Sequence, residues 1–296
     1  MIAVVGHTAI DHIFSVPVLP QRHGSTFITA HTVYYGGGAA NIAAGIARLG
    51  GETELISAVG GDFAGSEYES WMDTLGIRRR LIVVGDERTA TCFLFNDAEG
   101  DQMTFFEWGA SSAFATAEAP ALAMVHLATA DPSFNVRVAE KGEFVSFDPG
   151  QDLLRYSKED LSSILAHTDI LFANRHEVRG MCATMGITKE ALFAQVPRAI
   201  CTMSGDGSFL IEGGERRFVP AVPVRLNDPT GAGDAYRAGF LTALARGYDA
   251  LTAAKVGTTA ASFVVEVTGC QTNLATWEMM GARFAEHFGA LPPAGE

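Results

Sequence analysis

The chain has 296 residues, 48% of them hydrophobic and 19% charged, the balance of a folded globular protein and not of a disordered one. A formal net charge of −13 works against nucleic acid as a partner, and no run of roughly 18 uncharged apolar residues suggests a membrane span. The four cysteines (Cys92, Cys182, Cys201, Cys270) lie far apart without a C-x-x-C pair, as reduced thiols of a cytoplasmic protein would.

The length favours one large domain over residues 1–296 with an appended subdomain. Residues 2–6 (IAVVG) form a short β-branched run, the pattern of a buried parallel strand. Residues 12–35 break that pattern with prolines, a glycine turn and strand-like alternation. Residues 36–51 (GGGAANIAAGIARLGG) then turn helical and stop at paired glycines. Another buried strand follows at 53–60 and a helix at 66–76. The triplet Arg78–Arg80 reads as a solvated loop, and 80–107 as an antiparallel meander. Segments 12–35 and 80–107 together predict a small β subdomain interrupting an α/β domain. From about residue 120, strands at 123–129, 143–150, 169–174 and 198–204 alternate with helical stretches or turns, and the last 70 or so residues are rich in helix. Such alternation predicts a largely parallel sheet covered on both faces.

Open α/β sheets bind ligands beyond the carboxyl ends of their strands. Polar residues are stranded there at Asp11, Asp148 and Gln151, Asn174 and Glu177, Thr202 to Gly207, and Asp228 to Asp234. Neither a Walker-type phosphate loop nor a G-x-G-x-x-G turn is present. The remaining device is Gly231-Ala232-Gly233-Asp234, where a turn becomes a helix: backbone N–H groups there attract an anion, and Asp234 behind them can deprotonate the attacking group. The alternative is a helix-dipole acid. Asn174 and Glu177 share a helical face, suited to Mg²⁺ held through water or, alternatively, to a cap and a surface acid. Asp11 can accept from neighbouring sugar hydroxyls or shape a turn; the glycines at 36–38 with Asn41 can contact the same sugar or pack a helix closely. Phe106 and Trp108 fall on one side of a strand by alternation, where they stack on a flat base or cover the sheet. His126 reads as a core histidine, and His7 stays unassigned.

Three motifs stand in the order G-G-x-x-x-N (Gly36, Gly37, Asn41), N-x-x-E (Asn174, Glu177) and D-x-T-G-A-G-D (Asp228 to Asp234). With them the whole chain resembles the ribokinase-like (phosphofructokinase B) sugar and nucleoside kinases, and within that group the archaeal broad-specificity nucleoside kinases. The resemblance implies a three-layer α/β/α fold with a β-sheet lid, closing about Gly36 to Gly38, and Mg²⁺-dependent transfer of the ATP γ-phosphoryl group to a nucleoside 5′-hydroxyl. It makes Asp234 the base and Gly231, Ala232 and Gly233 the anion hole. Asp11, Gly37, Gly38 and Asn41 would hold the ribose, with Gln151, Phe106 and Trp108 near the base. Asn174, Thr202, Gly205, Gly207 and Asn273 would serve ATP, and Glu177 the metal. Ser204 departs from the pattern, standing where relatives carry the first glycine of T-x-G-x-x-G. A ribokinase- or fructokinase-type sugar kinase and a sensor without catalysis are the alternative functions. Open lid edges suggest a homodimer.

Overall fold

The computed structural model describes residues 1–295. β1 (Ile2–Val5) is buried on both faces. The chain then rises out of the body into a hairpin of β2 (Ala9–Ser15) and β3 (Ala30–Gly36). It re-enters through α1 (Gly38–Arg48), β4 (Thr53–Gly60), α2 (Glu67–Thr74) and β5 (Arg78–Val84). A second excursion makes β6 (Ala90–Asn96) and β7 (Gln102–Glu107). The body continues as β8 (Leu122–Leu127), α3 (Pro132–Ala139), β9 (Gly142–Phe147), α4 (Lys158–Ala166) and β10 (Ile170–Asn174). α5 (Arg175–Met185), α6 (Lys189–Phe193) and β11 (Arg198–Thr202) precede the hairpin of β12 (Ser208–Glu212) and β13 (Glu215–Val219). Three helices close the chain: α7 (Ala232–Ala245), α8 (Ala250–Val264) and α9 (Trp277–Phe288).

Nine strands form one sheet in the order β13-β12-β11-β10-β9-β8-β1-β4-β5, parallel except for the β12 and β13 hairpin. One face buries Ile42, Tyr68, Phe240, Val256 and Met280 beneath α1, α2, α7, α8 and α9. The other buries Phe134, Leu161, Met181 and Leu192 beneath α3 to α6. This is the expected three-layer α/β/α arrangement, and burying each such side chain contributes roughly 1.5–3 kcal/mol. The lid is a separate four-stranded sheet, β3-β2-β6-β7.

Three sequence expectations are corrected by the structure. Residues 80–84, expected in the lid, belong with Arg78 and Arg79 to β5, which is reached through α2 and lies parallel to β4 at the edge of the main sheet. Arg78 to Arg80 therefore form a strand, not a loop. Arg79 bridges to Asp73 at 2.6 Å and Arg80 to Glu54 at 3.0 Å, charges that blunt an exposed sheet edge. The lid is also no simple meander, since its central pair β2 and β6 runs parallel.

Seven of the nine helices in the described residues begin with a side-chain cap: Ser66, Asp131, Ser157, Asn174, Thr188, Asp249 and Thr276 accept from the first-turn amides. Each such cap contributes about 1 kcal/mol. α1 and α7 have none, and both begin at a glycine with positive φ, Gly37 at 91° and Gly231 at 80°. Both of these bare N-termini face the same cleft. Among the described residues no helix is long and apolar enough to cross a membrane.

Candidate active site

A cleft of about 250 Å³ opens where the lid overhangs the carboxyl ends of the parallel strands. Strand alternation sets its roof. Asp11 on β2 is in register with Cys92 on β6 and Tyr34 on β3, and Cys92 with Phe106 on β7, so these side chains share one lid face. Asp11, Cys92, Leu94, Thr104 and Phe106 line the cleft on that side.

Asp11 is only 6% exposed, yet its sole hydrogen-bond partner among the described residues is the Cys270 thiol, at 3.9 Å from Oδ2. Burial, then the nearby Asp234 and Asp228 carboxylates, push its pKa up to about 7. Gly36 makes room for it: a Cβ there would fall 2.1 Å from the Asp11 carboxyl group. A buried carboxylate with so little donated to it is costly to the fold.

On the body side, the Asp228 carboxylate accepts from the Thr230 amide (2.9 Å) and the Gly269 amide (3.3 Å), shaping the turn into α7. Among the described residues the amides of Gly231, Gly233 and Asp234 find no protein acceptor. The expected trio of Gly231, Ala232 and Gly233 is thereby altered. The Ala232 N–H closes a turn onto the Pro229 carbonyl at 3.2 Å, and the amide of Asp234 itself is the free one. Asp234 Oδ2 accepts from Asn41 Nδ2 at 2.9 Å, and Oδ1 lies 3.5 Å from Arg237 Nη1. Burial raises the Asp234 pKa to about 6, with Arg237 and Asn41 pulling the other way.

Asn41 is committed on both sides. Its Oδ1 accepts from Gln271 Nε2 (2.9 Å), and Gln271 in turn is held by Tyr68 and by Trp71 Nε1. This network assigns the amide orientation and leaves one N–H for a ligand. Gly37, Gly38 and Gln151 line the cleft as expected, Gln151 at the exposed rim.

Trp108 does not join them. β7 ends at Glu107, so strand alternation stops short, and Trp108 starts a 3-10 turn (Gly109–Thr116). Its ring carries the Arg155 guanidinium 3.9 Å from its centroid and the His7 edge at 4.8 Å. Among the described residues Phe106 alone presents an aromatic ring to the cleft. His7 is buried behind it and bonded to Ser111 and to Asp152, both at 2.9 Å, fixing the 3-10 turn and the loop that carries Gln151.

On the other flank, Asn174 and Thr202 end adjacent strands in register. Asn174 caps α5, accepting from the His176 and Glu177 amides, while Glu177 Oε2 accepts from the Asn174 amide at 2.7 Å. The cap is therefore real, and Glu177 also lines the cleft, where burial raises its pKa against the pull of Arg237. Thr202, Gly205, Gly207 and Asn273 lie outside the cleft walls. The Asn273 amide donates to the Phe263 carbonyl (2.6 Å), satisfying the end of α8. Ser204 takes φ 55°, the left-handed conformation that suits a glycine.

Sequence reasoning passed over Arg237, Cys270, Gln271 and Tyr68. Only Arg237 leaves a signal, as the one cation within the otherwise apolar and acidic run of α7.

A floor of bare helix N-termini, a carboxylate at one of them, and a lid with a second carboxylate define a small-molecule phosphotransferase site. The chain belongs to the pfkB family of carbohydrate kinases, which it matches over residues 1–277. It is 42% identical to a nucleoside kinase of Methanocaldococcus jannaschii over 293 residues, 97% of each chain, and 41% identical to one of Methanothermobacter thermautotrophicus over 299 residues, 98% of this chain and 97% of that one. The crystal structure of the M. jannaschii enzyme, an archaeal member of the ribokinase family, superimposes with a TM-score of 0.90, covering 97% of this chain and 98% of that one at 41% identity. The Burkholderia thailandensis nucleoside kinase in complex with inosine gives 0.91 at 25% identity, covering 100% and 99%.

Proposed function

We propose that the chain is a nucleoside kinase transferring the ATP γ-phosphoryl group to a nucleoside 5′-hydroxyl. The observation that carries this reading is the pairing of two carboxylates across one cleft, the buried Asp11, nearly without donors, and the half-buried Asp234 beside free amides. Asp11 accepts from the ribose hydroxyls and so holds the sugar. Asp234 takes the proton of the attacking hydroxyl, while the amides of Gly231, Gly233 and Asp234 meet the charge on the moving phosphoryl group. The spare N–H of Asn41 and the backbone of Gly37 and Gly38 complete the sugar site. Phe106 offers a face to the base and Gln151 a polar edge at the rim, which favours a nucleoside over a bare sugar. The nucleoside kinases of M. jannaschii and M. thermautotrophicus support the same choice.

Asn174, Thr202, Gly205 and Gly207 frame the donor side, with Asn273 bracing the helix end behind it. Among the described residues no group of three or more metal-ligating side chains exists, which fits Mg²⁺ held mainly by water and nucleotide phosphates, with Glu177 reaching it through water. When bound, that ion neutralises donor phosphate charge; the chain itself supplies the base and the amides. The outer lid face carries Phe14, Phe93, Phe95, Phe105 and Val33, the last two at least half exposed, and a second copy covering it would make a homodimer.

The test is ADP release with Mg·ATP against purine and pyrimidine nucleosides, ribose and fructose. Turnover on at least one nucleoside should exceed that on ribose by tenfold or more. Turnover on free sugars alone would make the chain a sugar kinase.

A further inference from the structure

α7 carries a cation that no motif claims. Arg237 lies one turn after Asp234, its side chain 12% exposed, and among the described residues it is the only basic one lining the cleft. Its Nε sits 2.9 Å from Asp148 Oδ2, yet that N–H is not aligned on any acceptor. Nη1 is 3.5 Å from Asp234 Oδ1. The guanidinium thus keeps most of its donors unspent while lining the cleft.

Its placement is built from behind. Asp148, 3% exposed at the end of β9, is held by His126 Nε2 at 3.0 Å, and His126 Nδ1 lies 2.9 Å from Ser146 Oγ. The neutral Nε2–H tautomer donates to Asp148 and leaves Nδ1 against the Ser146 hydroxyl, and burial favours that uncharged form. The core histidine of β8 therefore fixes a carboxylate, and the carboxylate fixes the guanidinium. The carboxylates that act on Arg237 are those of Asp148, Glu177 and Asp234, and Glu177 belongs to the flank that carries Asn174 and Thr202. In a chain of net charge −13, a polyphosphate entering this flank would otherwise meet three carboxylates and no cation.

We propose that Arg237 is a further catalytic residue: its guanidinium donates to the phosphoryl group in flight, and the His126–Asp148 pair is its positioning device. The inference rests on the kinase reading above. In the step, the acceptor oxygen bonds to the γ-phosphorus as the bond to the β–γ bridging oxygen breaks. Asp234 receives the hydroxyl proton, and ADP leaves with the electron pair. Charge spread over the three equatorial oxygens matches the planar donor fork of an arginine.

The test measures kcat, nucleoside KM and ATP KM for wild type, Arg237→Gln, Arg237→Ala, Arg237→Lys and Asp148→Asn with Mg·ATP. Arg237→Gln and Arg237→Ala should lose about 10²–10³-fold in kcat, the range for removing one transition-state donor, with nucleoside KM within threefold. Millimolar guanidinium should restore part of the rate to Arg237→Ala and none to Asp148→Asn, which retains its arginine in a worse position. Arg237→Lys should fall at least tenfold and is the deciding variant should the others fail to fold. A kcat within threefold of wild type in the lysine or glutamine variant, or a loss confined to nucleoside KM, overturns the inference. Wild type without turnover on any nucleoside would overturn the kinase reading and this inference with it; an active wild type with indifferent variants overturns this inference alone.

Discussion

Asp11 offers the sharpest separation of sugar binding from chemistry. In the Asp11→Ala variant the acceptor loses a carboxylate that is 6% exposed and accepts only from a thiol at 3.9 Å, so both its oxygens remain for ribose hydroxyls. Two hydroxyl-to-carboxylate hydrogen bonds at about 1.5–3 kcal/mol each give about 3–6 kcal/mol. At 1.4 kcal/mol per decade that is roughly 10²–10⁴-fold in nucleoside kcat/KM. The assay is coupled ADP release at pH 8, above the Asp11 pKa of about 7, with inosine and its 2′,3′-dideoxy analogue. Wild type should discriminate between them by a factor in that range, and the variant should not discriminate. ATP KM should stay within threefold. The same group also bears on stability, with a sign that must be followed. Its folded pKa lies above the unfolded 3.8, so the folded state binds the proton more tightly and stability falls as pH rises through about 7. Asp11→Asn, which removes the buried charge, should therefore raise urea stability at pH 8, by on the order of 1–3 kcal/mol, and much less at pH 5. A nucleoside kcat/KM within threefold of wild type, or a loss falling on ATP KM, would refute the assignment.

Gly36→Ala drives a methyl group into the Asp11 carboxyl and should reproduce the Asp11→Ala defect, within tenfold, without removing any charge; unaltered nucleoside KM would show that Asp11 has room to move. Both carboxylates must be ionised, so kcat/KM for the nucleoside should begin to fall below pH 7 and steepen below 6, the two titrating as a pair. A profile flat from pH 5 to 8 would contradict this. Ser204→Gly relieves a positive φ at some cost in chain entropy and should stabilise the fold by about 0.5–1 kcal/mol in urea titration, with ATP KM little changed. Destabilisation there would mean that the Ser204 side chain supports the loop.

What the sequence discloses, and what it hides, follows from the range of the signals. Strand ends are local, so Asp148, Asn174 and Thr202 are legible as polar residues after apolar runs, whereas Asp11 lies within the lid strand β2 and Asp228 in the turn before α7; glycines at helix starts mark the bare N-termini of α1 and α7. Trp108 misled because alternation holds only while the strand lasts, and β7 stops one residue earlier. Arg78 to Arg80 mislead because an edge strand dressed in arginines resembles a loop, and the strand that continues from them is placed in the lid until its partner, β4, is known. The bonds from Gln271 to Asn41 and Tyr68 span more than 200 residues and have no local signature. Arg237 was visible as an odd charge, but its meaning needed Asp148 and His126 brought in from other strands.

In the proposed reaction Asp234, at the uncapped start of α7, takes the proton of a nucleoside hydroxyl as the phosphoryl group arrives. Single-turnover transfer from Mg·ATP to inosine, followed at saturation in wild type and Asp234→Asn, tests it most directly. The Asp234→Asn variant should fold, bind both substrates within severalfold of wild type and transfer about 10²–10⁴ times more slowly, the span of a general base. Transfer by Asp234→Asn within a few-fold of wild type would contradict it.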